Sequence, residues 1–276
     1  ILARAELEKG VNAIPREAFA PVFQAVLGAW LTASPETPVL ICGMAGSRQG
    51  WIETPYAPCP ARLSDVAALA VKADVPHPGG VFLLPGLSAR AAQGAPDVMR
   101  GEETQIFGAA AETGDGFYCL PGTHSKWARV HEGRIEGFTT YMTGEFYGLL
   151  ARMSLLSRTM GDGDFDSDAF AAGVTDGRAG TPLLHQAFTV RARGLVDAWS
   201  GEAQRDYLSG LLIGAEIGAA LPDGVSEVTV IASSGLTSLY HDALSQTGAA
   251  VRAIDGAEAV AKGALGLWRC YAGEAA

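Results

Sequence analysis

The 276-residue sequence is 48% hydrophobic and carries a formal charge of −10, which gives enough chain to bury the core of one or two domains. An acidic chain without a Lys/Arg cluster excludes nucleic acid as the expected partner, because a phosphate backbone demands basic contacts. No apolar run reaches the roughly 20 residues of a membrane span; Leu208–Leu221 comes nearest, and it carries Glu216.

In chain order, Phe19, Val22, Phe23, Val26, Leu27 and Trp30 recur at helical spacing and predict an amphipathic helix over 17–33. The apolar run Val39–Cys42, closed by Gly-Met-Ala-Gly-Ser, predicts a buried strand, and Val81–Leu84, stopped by Pro85-Gly86, a second. An acidic helix start at Glu102 leads to a strand at Phe117–Leu120. A hairpin follows over Trp127–His131 and Ile135–Thr140, turned by Glu132-Gly133-Arg134. Residues 145–212 read as mainly helical around a polar loop at 161–168. The rest alternates: helix 204–220, strand 227–232, helix 236–247, strand 249–254, helix 256–270. Strands alternating with helices predict an α/β protein. Residues 1–100 hold eight acidic and eight basic residues, so the whole net charge lies beyond residue 100. The expected boundary is there, with a substrate-side domain over 1–100 and a nucleotide-binding domain over 101–276.

The cysteines Cys42, Cys59, Cys119 and Cys270 are scattered without a Cys-x-x-Cys pair, as befits thiols in a reducing cytoplasm. The opening ILARAELEKG has no apolar core or cleavage site of a secretion signal. The expected location is cytoplasmic.

Four strand-to-loop transitions hold chemistry-bearing residues, at Gly43–Trp51, Arg100–Gln105, Pro121–Trp127 and Ser233–Thr237, and ligands of open α/β sheets bind beyond the carboxyl ends of strands. In Pro121-Gly122-Thr123-His124-Ser125-Lys126-Trp127, backbone N–H groups and hydroxyls suit phosphate oxygens and Lys126 adds a point charge. Gly-Thr after a strand is also an ordinary chain reversal. In Arg100-Gly101-Glu102-Glu103-Thr104-Gln105, a carboxylate at a helix start either complements the helix dipole or serves as a general base toward a substrate hydroxyl. In Ser47-Arg48-Gln49-Gly50-Trp51, Arg48 is suited to grip a carboxylate through two parallel hydrogen bonds and Trp51 to cover a sugar face. A surface Arg and a half-buried Trp explain them equally well. Arg100 is a second candidate for the carboxylate.

The order Gly-acid, helix, strand, Gly-Thr resembles the sugar kinases of the hexokinase/actin-like ATPase superfamily. Met99-Arg-Gly-Glu-Glu-Thr-Gln105, Pro121-Gly-Thr-His-Ser-Lys-Trp127, Met142-Thr-Gly-Glu145 and Gly210-Leu-Leu-Ile-Gly-Ala-Glu216, in this order, are similar to the 2-dehydro-3-deoxygalactonokinase family. The resemblance runs from about Gly10 to Leu267 and implies a two-domain, ribonuclease H-like fold of mixed sheets flanked by helices, with ATP between the domains. It implies transfer of phosphoryl from ATP, with Mg²⁺, to the terminal 6-hydroxyl of 2-dehydro-3-deoxy-D-galactonate, in galactonate catabolism. By position, it makes Glu102 or Glu103 the base, puts Gly122, Thr123, His124 and Lys126 at the ATP phosphates and Ser233, Ser234 and Gly235 at the adenosine. Ser47, Arg48, Trp51 and Arg100 fall to the sugar acid. The metal ligands are left open, and a homodimer is compatible with the reading.

Two departures stand out. Glutamate replaces the aspartate usual at the base position, and its extra methylene leaves Glu102 and Glu103 undistinguished. The superfamily's first strand and its Asp-x-Gly-Thr/Ser loop do not occur, and Leu2–Gly10 resembles the stretch just after that hairpin. Either the sequence begins part-way through the protein or the hairpin is absent. The first is the expectation, because losing the hairpin would open a sheet edge and delete the metal-side carboxylate. Residues 1–100 are therefore expected to be a first domain incomplete at its start. Two alternatives stand beside the main reading: a kinase of the same fold for another sugar acid or polyol, and a non-catalytic nucleotide-binding regulator.

Three other features are expected to be structural. Asp162–Asp168 imitates a calcium loop but lacks its sixth-position Gly and twelfth-position Glu; it should cap the helix beginning near Ala169. The five His residues show no metal-ligand spacing. Gly210, Gly214 and Gly218, on one helical face, should permit close helix packing.

Overall fold

The structure, a computed structural model, describes residues 1–7, 10–91 and 93–273. Glu8 and Lys9, within the Leu2–Gly10 stretch, lie outside the described residues. The chain is an α/β protein of mixed sheets and helices that divides into two compact units, the first comprising Ile1–Asp115, Ala128–Phe138 and Gly256–Ala276, the second Gly116–Trp127 and Thr139–Asp255.

The first unit opens with α1 (Phe19–Ala33), β1 (Val39–Ile41), β2 (Tyr56–Pro58), β3 (Ala61–Arg62), α2 (Leu63–Ala67) and β4 (Val71–Lys72). β5 (Val81–Leu83), β6 (Gly86–Arg90), β7 (Pro96–Met99) and α3 (Glu102–Thr113) follow. β5 is entirely buried, as its unbroken apolar run requires; it pairs parallel with β1 and antiparallel with β4. Phe23 of α1 packs against Val81 and Leu83 of that sheet, with Trp51 beside them. A second small sheet joins β6 to β2 in parallel and to β7 in antiparallel.

Next come β8 (Gly116–Leu120), β9 (Ser125–His131) and β10 (Arg134–Tyr141), then α4 (Thr143–Met153), α5 (Ser167–Arg178), α6 (Leu183–Val196) and α7 (Gly201–Ala220). β11 (Glu227–Ala232), α8 (Ser234–Ser245), β12 (Ala250–Asp255) and α9 (Gly256–Ala272) complete the chain. In the second unit, β11 runs parallel to both β8 and β12. Its core gathers Val228 and Val230 with Phe170 of α5, Ile213 and Ile217 of α7 and Tyr240 of α8.

Glycines set the two tightest helix pairs. A Cβ on Gly210 would lie 2.1 Å from the Phe170 carbonyl oxygen and one on Gly214 2.3 Å from that of Val174, so α5 and α7 touch backbone to backbone, as the spaced glycines anticipate. In the first unit, a Cβ on Gly263 would lie 1.8 Å from the Thr104 oxygen, and one on Gly108 1.9 Å from that of Ala259. This second contact explains why the division departs from the single boundary expected near residue 100. The docking of α9 on α3 returns the C-terminal helix to the first unit, and α3 stays with the strands before it.

The loop that imitates a calcium site is filled by a guanidinium. Arg205 donates to the carbonyls of Gly161 at 3.1 Å, Gly163 at 2.9 Å and Asp164 at 3.0 Å, and to the Asp206 carboxylate at 2.8 Å. Asp166 caps α5 by accepting from the Ala169 N–H at 2.9 Å.

Candidate active site

In the first unit, the turn after β7 turns the chain sharply into α3. Gly101 has φ +106°, and a Cβ there would lie 3.0 Å from Gly43 Cα, so a larger residue fits neither the dihedral nor the space. The two carboxylates that follow fold back on this turn. Glu102 Oε2 accepts from the Arg100 N–H at 2.9 Å, and Glu103 Oε2 from the Gly101 N–H at 2.7 Å. Their surroundings then differ. Glu103 is 0% exposed, and its other oxygen accepts from the Thr104 hydroxyl at 3.0 Å. Burial pushes its carboxyl up to about 7, against the hydrogen bonds from the backbone. Glu102 is only half-buried. Burial and the Glu103 charge push the nearby Cys42 thiol up to about 11, which leaves it an inert neighbour.

Arg100 is buried. Its guanidinium lies 4.2 Å over the Tyr56 ring, donates to the Thr54 carbonyl at 2.9 Å and bonds the Thr54 hydroxyl. It makes no ion pair among the described residues, and its Nε is buried without a partner. Ser47, one residue beyond the Gly46 carbonyl that accepts from Thr54 at 3.2 Å, likewise has a buried hydroxyl without a partner. Arg48 instead points outward, its side chain 81% exposed and 3.4 Å from Glu53. Trp51 stacks on Phe19, with ring centroids 6.1 Å apart and planes 9° from parallel, and tilts against Phe23. Its ring is engaged in packing, the reading the sequence held open for it.

In the second unit, the loop after β8 presents Gly122, half-buried, and Thr123, exposed. Lys126 is buried and donates to the His124 carbonyl at 3.1 Å, so its ammonium braces its own loop. His124 Nε2 lies 2.5 Å from Glu145 Oε2, and the Glu145 N–H donates to the Thr123 carbonyl at 3.0 Å. A Cβ on Gly144 would lie 2.5 Å from the Gly122 oxygen, so the start of α4 presses directly on the loop.

Beside this loop opens a cavity of about 240 Å³, lined by Gly122, Thr143, Gly144, Tyr147, Leu239 and Tyr240 among others. Its walls are largely apolar and Gly122 of the loop lies among them, a shape suited to a flat base. Ser233, Ser234 and Gly235, the expected adenosine turn, form the exposed start of α8, which begins at Ser234 instead of residue 236. The cavity wall comes from the next turn of that helix. Tyr147 and Leu239 sit at helical spacing and read in sequence as core, so nothing there marked them; Gly144 lay in a family string without an assigned role.

Comparisons with known proteins bear on this arrangement. A model of the family described as 2-keto-3-deoxy-galactonokinase matches residues 1–268. The chain is 41% identical over 272 residues to "Probable 2-dehydro-3-deoxygalactonokinase DgoK1" of Rhizobium meliloti (strain 1021), spanning 95% of this chain and 88% of that one. It is 35% identical over 252 residues to the 2-dehydro-3-deoxygalactonokinase of Escherichia coli (strain K12), spanning 90% and 84%. A crystal structure from Sinorhizobium meliloti described under the same name superposes with a TM-score of 0.89 at 40% identity, covering 97% of this chain and 91% of that one. The chain belongs to the 2-keto-3-deoxy-galactonokinase family.

Proposed function

We propose that the protein transfers the γ-phosphoryl group of ATP to the terminal 6-hydroxyl of 2-dehydro-3-deoxy-D-galactonate, in the breakdown of galactonate. Its α/β architecture is read as an actin-like ATPase fold, with the Gly122–Thr123 loop after β8 and the α8 start after β11 in the places that fold gives to nucleotide phosphates and adenosine. The observation that carries the substrate class is Arg100. A buried guanidinium without an acidic partner is costly unless an anion completes it, and the unpartnered Ser47 hydroxyl offers a further donor. The carboxylate of a sugar acid supplies that anion; a neutral polyol does not.

The proton acceptor must be reachable, and this favours Glu102 over the sealed Glu103. Glu102 takes the proton of the 6-hydroxyl as that oxygen bonds to the γ-phosphorus. The bond from phosphorus to the β–γ bridging oxygen breaks, and ADP leaves with that electron pair. Thr123 turns its backbone N–H and hydroxyl toward the phosphates, and Gly122 leaves room for them. The aromatic and aliphatic wall of Tyr147, Leu239 and Tyr240 takes the base. Among the described residues no group of three or more His, Cys, Asp or Glu side chains gathers as a metal cage. Mg²⁺, where bound with ATP, would neutralise charge developing on the phosphate oxygens.

Glu102→Gln tests the reading. The amide keeps the shape and removes the acceptor, so turnover should collapse while ATP still binds. Normal turnover in a folded Glu102→Gln protein would refute the assignment.

A further inference from the structure

Glu216, near the end of α7, is almost fully buried, and its carboxylate is held by three neutral donors. Trp127 Nε1 donates to Oε1 at 2.7 Å, the Tyr240 hydroxyl donates to Oε2 at 2.8 Å, and the Thr143 hydroxyl donates to Oε2 as well. Each donor stands on a different element, and Thr143 and Tyr240 also line the cavity proposed for the nucleotide. Trp127 lies on β9 just beyond the Gly-Thr loop, Thr143 begins α4 and Tyr240 lies on α8. For packing alone a buried carboxylate is a poor choice, since an apolar group of equal volume fills the same space without desolvation cost.

Two routes lead from this carboxylate to the loop. Through Tyr240, the same hydroxyl meets Ser125 Oγ at 3.1 Å, and Ser125 Oγ accepts from the Gly122 N–H at 3.4 Å. Through Thr143, the next residue is Gly144, whose backbone presses on the Gly122 carbonyl, and then Glu145, whose N–H donates to the Thr123 carbonyl. Both routes end on the two residues proposed to hold phosphate.

We infer that Glu216 is a positioning residue for ATP: it ties α4 and α8 to α7 and thereby sets the Gly122–Thr123 backbone at the phosphates. The inference rests on the kinase reading and goes beyond it, because Glu216 touches no reacting atom. Losing a charge-assisted hydrogen-bond hub changes affinity by about tenfold or more. Glu216→Gln should therefore raise the KM for ATP, and the Kd for the non-hydrolysable analogue AMP-PNP with Mg²⁺, by about tenfold. kcat and the KM for the sugar acid should stay within about threefold. Tyr240→Phe, which keeps the ring on the cavity wall and removes only the shared hydroxyl, should shift the same two constants. In the double variant the shifts should combine to less than their product, as for residues of one network. A merely structural Glu216 would lower the thermal midpoint and leave both nucleotide constants unchanged. If Glu216→Gln does not fold, Tyr240→Phe and Thr143→Val decide the matter by the same constants. AMP-PNP binding by the wild-type protein, together with unchanged constants in the folded variants, overturns this inference alone. Failure of the wild-type protein to bind the analogue overturns the kinase reading with it.

Discussion

Glu102 and Glu103 are adjacent in sequence and accept hydrogen bonds from adjacent backbone groups, Arg100 N–H at 2.9 Å and Gly101 N–H at 2.7 Å, yet one is half-buried and the other sealed. The first residues of α3 point about 100° apart, so a single turn supplies both a reachable carboxylate and a dry one. Substitution separates them. Glu102→Gln should lower kcat by at least about 100-fold, the lower end for general-base catalysis, with the KM for ATP little changed. If Glu102 only complements the helix dipole, the variant loses about 0.3–1 kcal/mol of stability and keeps near-normal turnover. Steady-state kinetics beside a melting curve distinguishes the two.

Glu103 gives a stability signature. Its carboxyl stands at about 7 in the folded protein, against an ordinary 4.5, because burial penalises the charged form. A raised carboxyl means that the folded state holds its proton longer than the unfolded chain does. Its contribution is therefore most favourable below about pH 4.5, declines as pH rises through 7, and is level above that. The full swing is on the order of 3 kcal/mol. Urea midpoints for wild type and Glu103→Gln at pH 5 and pH 8 should show the wild type losing more stability with rising pH. Equal slopes would contradict the buried, protonatable Glu103.

Ser47→Ala should separate stability from binding. The hydroxyl is buried without a partner, so its removal should leave the melting midpoint unchanged or slightly raised. The KM for the sugar acid should rise several-fold while that for glycerol or another neutral acceptor does not. A fall in stability with an unchanged sugar-acid KM would show that Ser47 serves packing.

Arg205 fills the Asp-rich loop that imitates a calcium site. Arg205→Leu leaves three carbonyls without this donor and the buried Asp206 carboxylate without its cation, only the Asp166 N–H remaining on it among the described residues. It should cost about 3 kcal/mol in denaturant unfolding. Calcium added to the wild type should not move its melting midpoint. A calcium-dependent rise would contradict the filled loop.

The helix α1 was legible from periodicity and β5 from its apolar run, while α3 was legible from its acidic start and α9 from the alternation of strands and helices, because each feature is large enough to dominate its segment. The short strands β2, β3, β4, β6 and β7 were not, since two to five residues between prolines and glycines carry too little pattern. The interleaved units were also hidden: the Gly108–Gly263 approach that returns α9 to the first unit is a long-range contact that local sequence does not encode. At the site, the loops at Glu102 and Gly122 were visible as Gly-rich punctuation after strands. Arg100 was visible only as one of two candidate cations, and burial without an acidic partner among the described residues distinguished it from the exposed Arg48. Glu216 sat in a helix that read as packing, and only tertiary structure brings Trp127, Thr143 and Tyr240 onto it.

The central claim is that ATP is spent on a sugar acid. Its most direct test is ADP release by the wild-type protein, coupled to NADH oxidation, with 2-dehydro-3-deoxy-D-galactonate, glycerol, xylulose and glucose offered in parallel. The expected result is a kcat/KM for the sugar acid at least about 100-fold above any neutral acceptor, a lower bound for a site whose buried polar groups a neutral ligand leaves unpaired. A neutral polyol phosphorylated as fast as the acid, or no ADP released with any acceptor, would contradict it.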